Sequence, residues 1–200
     1  MSKFESKFTR DDAFAFILDV VGDDMGTKAL IEAIKNKTIS PDSFIAELDA
    51  DASLMQLIIE CLAFSGRVVR LDWREPIRDC VNEFSRLLTR VGIAVEAAER
   101  SLKDVAFSSR GEGPGMAYVA YRPLAEAKDM RVIDLYNGTD DYWLVIVPRA
   151  IAERWEWVVV AEHQYFCDAD FQFSHALRKA KIEPHYGKAP PEARQPPSAA

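Results

Sequence analysis

The chain has 200 residues, 48% of them hydrophobic and 28% charged, a balance that suits a folded domain with a sizeable core and excludes a disordered or fibrous chain. A formal net charge of −7 and a pI near 5.1 argue against binding to a phosphate backbone, which requires a basic face. No nucleic acid is therefore expected as a partner, and a basic protein surface is compatible with the charge.

The first residues, MSKFESKFTRDD, lack the apolar stretch of a secretory signal. The longest apolar runs, such as Trp157-Val158-Val159-Val160-Ala161, are far too short to cross a bilayer, so no membrane is expected as a partner either. Cys61, Cys80 and Cys167 are odd in number, scattered, and set in apolar-periodic stretches, which reads as reduced core thiols in a cytoplasm. Acidity is concentrated early, at Asp11, Asp12, Asp19, Asp23, Asp24 and Glu32 among others.

The first third is helical. Thr9 caps a run in which Ala13, Phe14, Phe16, Ile17, Val20 and Val21 recur at helical spacing up to Gly22, with Asp12 placed to reach back to the cap. A second helix is expected from Met25 to Lys35. Ser40-Pro41 starts a third with a hydroxyl cap and a proline in the first turn. Asp51 opens a fourth through Leu54, Leu57, Ile58, Cys61 and Leu62, closed by Ser65-Gly66. Arg67 to Trp73 is short and β-branched and reads as a strand. Glu75-Pro76 then begins a long amphipathic helix that Gly92 stops, and Ala97, Ala98 and Leu102 favour a further short helix.

Arg110 to Gly115 (RGEGPG) is expected to be a mobile loop, and Met116 to Tyr121 an alternating strand ended by Arg122-Pro123. Met130 to Tyr136 and Asp141 to Val147 flank Asn137-Gly138-Thr139-Asp140, the chemistry of a hairpin turn. In the first of these strands Asp134 and Tyr136 define a polar face. The second is apolar on both sides and belongs inside a sheet covered on both faces. From Arg149 helical spacing continues through Trp155 to Val159, so Trp155 and Trp157 cannot share a face and one of them is expected near the surface. A last helix spans Phe171 to Lys181, and the proline-rich tail from Gly187 is expected to be disordered. The fold class is α+β: N-terminal helices packed with a small, mostly antiparallel sheet containing a central hairpin, followed by C-terminal helices. It forms one domain over residues 1–186, with a helical part (1–66) and a sheet-containing part (67–186).

No catalytic set emerges. His163 and Cys167 are four apart, as on one helical face, but two ligands do not make a zinc site. Asp134, Asp140 and Asp141 cluster at the hairpin, where Asp also satisfies backbone donors of a turn. Arg110 to Gly115 lacks the Lys-Ser/Thr of a phosphate loop. No cofactor and no metal site are expected. Aromatic residues concentrate on the sheet, and aromatics beside carboxylates are a protein-recognition surface.

Leu71-Asp72-Trp73-Arg74-Glu75-Pro76 and the later Ile133-Asp134-Leu135-Tyr136-Asn137-Gly138-Thr139-Asp140-Asp141-Tyr142-Trp143-Leu144 resemble an uncharacterised bacterial family of unknown function. More loosely, the chain is similar to small acidic immunity proteins that neutralise toxins of interbacterial competition. The resemblance spans Arg67 to Trp155 and implies no catalytic residue. The expectation is a non-enzymatic, cytoplasmic immunity protein that occludes a cognate toxin encoded next to it, through Asp134, Tyr136, Asp140, Asp141 and Trp143. Two other readings stay open: a small hydrolase using the carboxylates with His163 or His175, and an adaptor or chaperone that clamps a partner with its N-terminal helices.

Overall fold

The computed structural model describes residues 7–38, 53–102 and 111–185. Thr9 opens α1 (Arg10–Val21) with a full capping box: its hydroxyl accepts from the Asp12 N–H, and the Asp12 carboxylate accepts from the Thr9 N–H at 2.8 Å. Asp24 caps α2 (Met25–Lys35) through the Thr27 N–H at 2.7 Å, and Ser53 caps α3 (Leu54–Phe64) through the Gln56 N–H at 3.1 Å. The helix expected from Ser40-Pro41 lies outside the described residues, as do Asp51 and the proline-rich tail. β1 (Val68–Asp72), α4 (Ile77–Arg90) and the short α5 (Glu96–Leu102) follow as the sequence predicts.

The next segment departs from expectation. Residues 116–121 alternate like a strand, yet the chain forms α6 (Gly113–Glu126). Gly113, Ala117, Tyr118, Tyr121, Arg122 and Ala125 are buried at helical spacing, a stripe that a six-residue window conceals. Pro114 fits the first turn, where no N–H is needed. Gly113 is required by packing, because a Cβ there would run into the Glu75 carbonyl before α4. The second half of the glycine-rich run is thus the buried start of a helix and not a loop.

β2 (Met130–Tyr136) and β3 (Asp141–Pro148) make the expected hairpin. Gly138 supplies the left-handed turn residue at φ 84°, and Asn137 Oδ1 accepts from the Thr139 N–H at 3.1 Å. α7 (Arg149–Trp155) is shorter than its spacing suggests. Trp157, at φ 67°, reverses the chain into β4 (Val159–Ala161) and β5 (Gln164–Asp168). Trp155 and Trp157 are both buried, since they do not share a helix, which corrects the expectation that one reaches the surface. Phe173 divides the last helix into α8 (Ala169–Gln172) and α9 (Ser174–Lys179).

Among the described residues five strands run in the order β1-β3-β2-β5-β4, each ladder antiparallel. Helices cover both faces, giving an α+β fold of three layers. On one face Ile133, Leu135, Val145 and Val147 pack against α1, α3 and α7, where Phe16 stacks on Phe166 at 4.3 Å and Trp155 Nε1 donates to Asp19 at 2.6 Å. On the other, Val132, Leu144 and Ile146 pack against Phe84 of α4, Tyr118 of α6 and Phe173. Because β2 is the middle strand, its alternate residues are also enclosed. Asp134 is 0% exposed, which corrects the expectation of a solvent-facing polar side on that strand.

Candidate functional site

Strand periodicity places Val132, Asp134 and Tyr136 of β2 on the face that also carries Tyr142 and Leu144 of β3. At the open end of this face the packing stops short. Trp73, Tyr136, Asp140, Asp141, Tyr142 and Gln172 line a cleft of about 380 Å³ between the β2–β3 turn and α8. Tyr142 and Gln172 also border a larger, mostly apolar cavity of about 540 Å³, reached by Met116 and Val119 of α6 and Ala176 of α9. The two hollows therefore share a wall, one polar and aromatic, the other greasy.

Asp134, opposite Leu144, is the next residue inward from Tyr136 on this face of β2. Its Oδ1 accepts the Trp143 N–H at 2.9 Å, while Oδ2 has no hydrogen-bond partner at ordinary distance. Burial pushes this carboxyl up to about 7, against the Trp143 N–H and the Gln172 side chain, both of which favour the charged form. Burial likewise raises the Tyr142 hydroxyl, helped by the charges of Asp134 and Asp140. Tyr142 thus stands within electrostatic reach of a carboxylate on the rim and of one inside.

The residues singled out from the sequence divide into three groups. Tyr136, Asp140 and Asp141 meet at the cleft. Asp134 is sealed behind it, so the expectation that it presents its carboxylate to a partner is corrected: the side chain is in the core. Trp143 belongs to the opposite face, packed against the α1–α3 layer, with the Arg70 guanidinium 5.8 Å from its ring. Alternation separates it from the cleft. Asp141 is already paired, accepting from Arg70 Nε at 3.0 Å and Nη2 at 2.8 Å. The Asp140 carboxylate is exposed and has no hydrogen-bond or ion-pair partner among the described residues.

His163 and Cys167 are on a turn and a strand instead of one helical face: His163 is exposed at φ 60°, and Cys167 is buried. Burial pushes the Cys61 and Cys80 thiols up to about 12 and Cys167 well above its ordinary value, so all three are inert core groups. His175 sits on α9 at the larger cavity. No group of three or more His, Cys, Asp or Glu side chains arranged to hold a metal ion occurs among the described residues. No described helix is long and apolar enough to cross a membrane.

A second polar centre went unrecognised in the sequence. Asp170, 0% exposed, accepts from Tyr118 Oη at 2.6 Å, Arg122 Nη2 at 3.0 Å and the His185 N–H at 2.6 Å. His185 Nε2 lies 2.8 Å from Glu126, and burial holds the imidazole below its ordinary value. The charges and donors match one another, so this cluster fastens residues 182–185 onto α6. Its signal was present as Arg122 within an otherwise apolar helical stripe.

A family model described as a domain of unknown function (DUF6630) matches residues 14–164. No curated protein and no solved structure matches the chain.

Proposed function

The chain belongs to the DUF6630 family, and we propose that it is a protein-binding molecule that neutralises a cognate toxin by occlusion. The observation that supports this reading is the cleft at the hairpin end, where partly exposed aromatic rings stand beside an unpaired carboxylate on a projecting turn. Anchoring pockets of protein interfaces have this composition, an aromatic floor and a polar rim. The net charge of −7 steers a basic partner toward the surface, and burial of Tyr136 and Tyr142 sets the dissociation rate. In this reading the partner is the product of a neighbouring gene and is met in the cytoplasm, where the buried thiols stay reduced.

The test is co-purification of the neighbouring gene's product with the wild-type chain and with Tyr136→Ala. Tyr136 is at the strand end, so the variant keeps the fold while removing the anchor. Capture by the wild type with at least tenfold weaker capture by the variant is expected. Absence of a complex with the wild type overturns the proposal.

A second reading, an adaptor acting through the N-terminal helices, draws on one observation: Met25 is 74% and Phe64 59% exposed, large apolar side chains on α2 and α3. Deleting those helices does not test it, because α1 and α3 cover one whole face of the sheet. Met25→Ser with Phe64→Ser does. Loss of partner capture in that variant, with capture retained in Tyr136→Ala, would favour the adaptor.

A further inference from the structure

We propose that the hairpin-end cleft takes an arginine side chain of the protein partner, its guanidinium seated between the rings of Tyr136 and Tyr142, with Asp140 at the rim and Asp134 behind as counter-charges. The inference rests on the protein-binding reading and names the chemistry of what enters the site. Three observations carry it.

The first is shape and composition. The cleft of about 380 Å³ has room for one long side chain, and its walls are tyrosine and tryptophan rings beside two carboxylates. Among side chains, a planar guanidinium alone combines stacking on rings with forked hydrogen bonding to a carboxylate.

The second is that the protein already uses this pairing nearby. Arg70 donates two N–H groups to Asp141 Oδ2 while lying 5.8 Å from the Trp143 ring centroid, and Arg74 lies 4.6 Å over Trp73. Trp73 and Asp141 line the cleft, whereas the Arg70–Trp143 contact itself lies on the opposite face of the sheet.

The third is the orphaned oxygen. Asp134 Oδ2 is fully buried with no hydrogen-bond partner at ordinary distance, and its carboxyl interacts with Tyr142 and with the Gln172 side chain, which are both cleft residues. An uncompensated buried carboxylate is costly, and a cation brought within a few ångströms relieves that cost. Asp141 is neutralised by Arg70, so the unmatched negative charge at this end comes from Asp140 and Asp134. Arginine entry shifts Asp134 toward its ionised form and releases a proton.

The experiment is an amide-resolved NMR titration of the full chain with N-acetyl-L-arginine amide, using N-acetyl-L-citrulline amide as the neutral isostere. Saturable shifts at Gly138, Thr139 and Tyr142 are expected with the arginine compound and none with citrulline. Affinity should rise from pH 6 to pH 8 by up to about tenfold, the ratio of ionised fractions for a group titrating at about 7. Asp140→Asn should weaken binding several-fold, and Asp134→Asn should abolish the pH dependence. If Asp134→Asn does not fold, the wild-type pH series and Asp140→Asn still decide. Equal response to citrulline, shifts only elsewhere, or affinity indifferent to both Asp140→Asn and pH overturns the inference. A partner whose capture survives Asp140→Asn and excess arginine amide sinks this inference and leaves the binding role standing. Arginine amide seated in the cleft with no partner captured does the reverse.

Discussion

Two aspartates define what single residues contribute. Asp134 titrates at about 7 instead of 3.8, so ionising it in the folded protein costs about 4 kcal/mol more than in the unfolded chain. Between those two values the folded state holds a proton that the unfolded state has lost. Stability therefore falls as pH rises through that window and is level above it. Asp168, pushed up to about 7 by burial and then by the charge of Asp170, acts in the same direction. Urea midpoints are expected to drop between pH 5 and pH 8. Asp134→Asn should flatten part of the drop, with Asp168 supplying the remainder, and an unchanged slope would contradict the burial argument. Asp170 is the opposite case, since its negative charge is matched by Arg122 and its oxygens by Tyr118 and His185. Asp170→Ala leaves the buried Arg122 with Glu126 as its remaining carboxylate partner and strands the Tyr118 hydroxyl, and should cost about 3 kcal/mol in urea unfolding.

Elements show where local chemistry decided the structure and where packing overrode it. The capping box at Thr9 and the Asn137-Gly138 turn were legible because each depends on residues within four positions of one another. Thr9→Ala should cost about 1 kcal/mol of unfolding free energy, the value of a lost cap. The segment of α6 from Met116 was not legible: its alternation over six residues fits a strand as well as a helix. What settles it is the approach of Gly113 to the Glu75 carbonyl and the pairing of Arg122 with Asp170, partners 38 and 48 residues away in sequence. Gly113→Ala is accordingly expected to lower the melting temperature by several degrees, as a Cβ forces α6 from the end of β1 and the start of α4. A melt indistinguishable from wild type would show that the junction yields without strain. The reversal at Trp157 escaped for a similar reason, because a positive φ at a tryptophan has no signature in composition.

At the scale of the whole molecule, an antiparallel sheet roofed on both sides leaves one end open, and the candidate site lies there. Tyr136, Asp140 and Asp141 were legible because the turn that presents them is local. The exclusion of Asp134 and Trp143 was not, since it follows from β2 being the middle strand and from which layer covers each face. Electrostatic steering by the acidic exterior predicts that the association rate with a basic partner falls as salt rises from 50 to 500 mM, approximately, with dissociation little changed. The central claim is that the hairpin end occludes a toxin, and cell growth tests it most directly. Cells expressing the neighbouring gene's product would carry either the wild-type chain or Asp140→Lys, with both chains shown to melt alike. Growth restored by the wild type and lost with Asp140→Lys is the predicted result; growth restored equally by both, or by neither, would contradict the account.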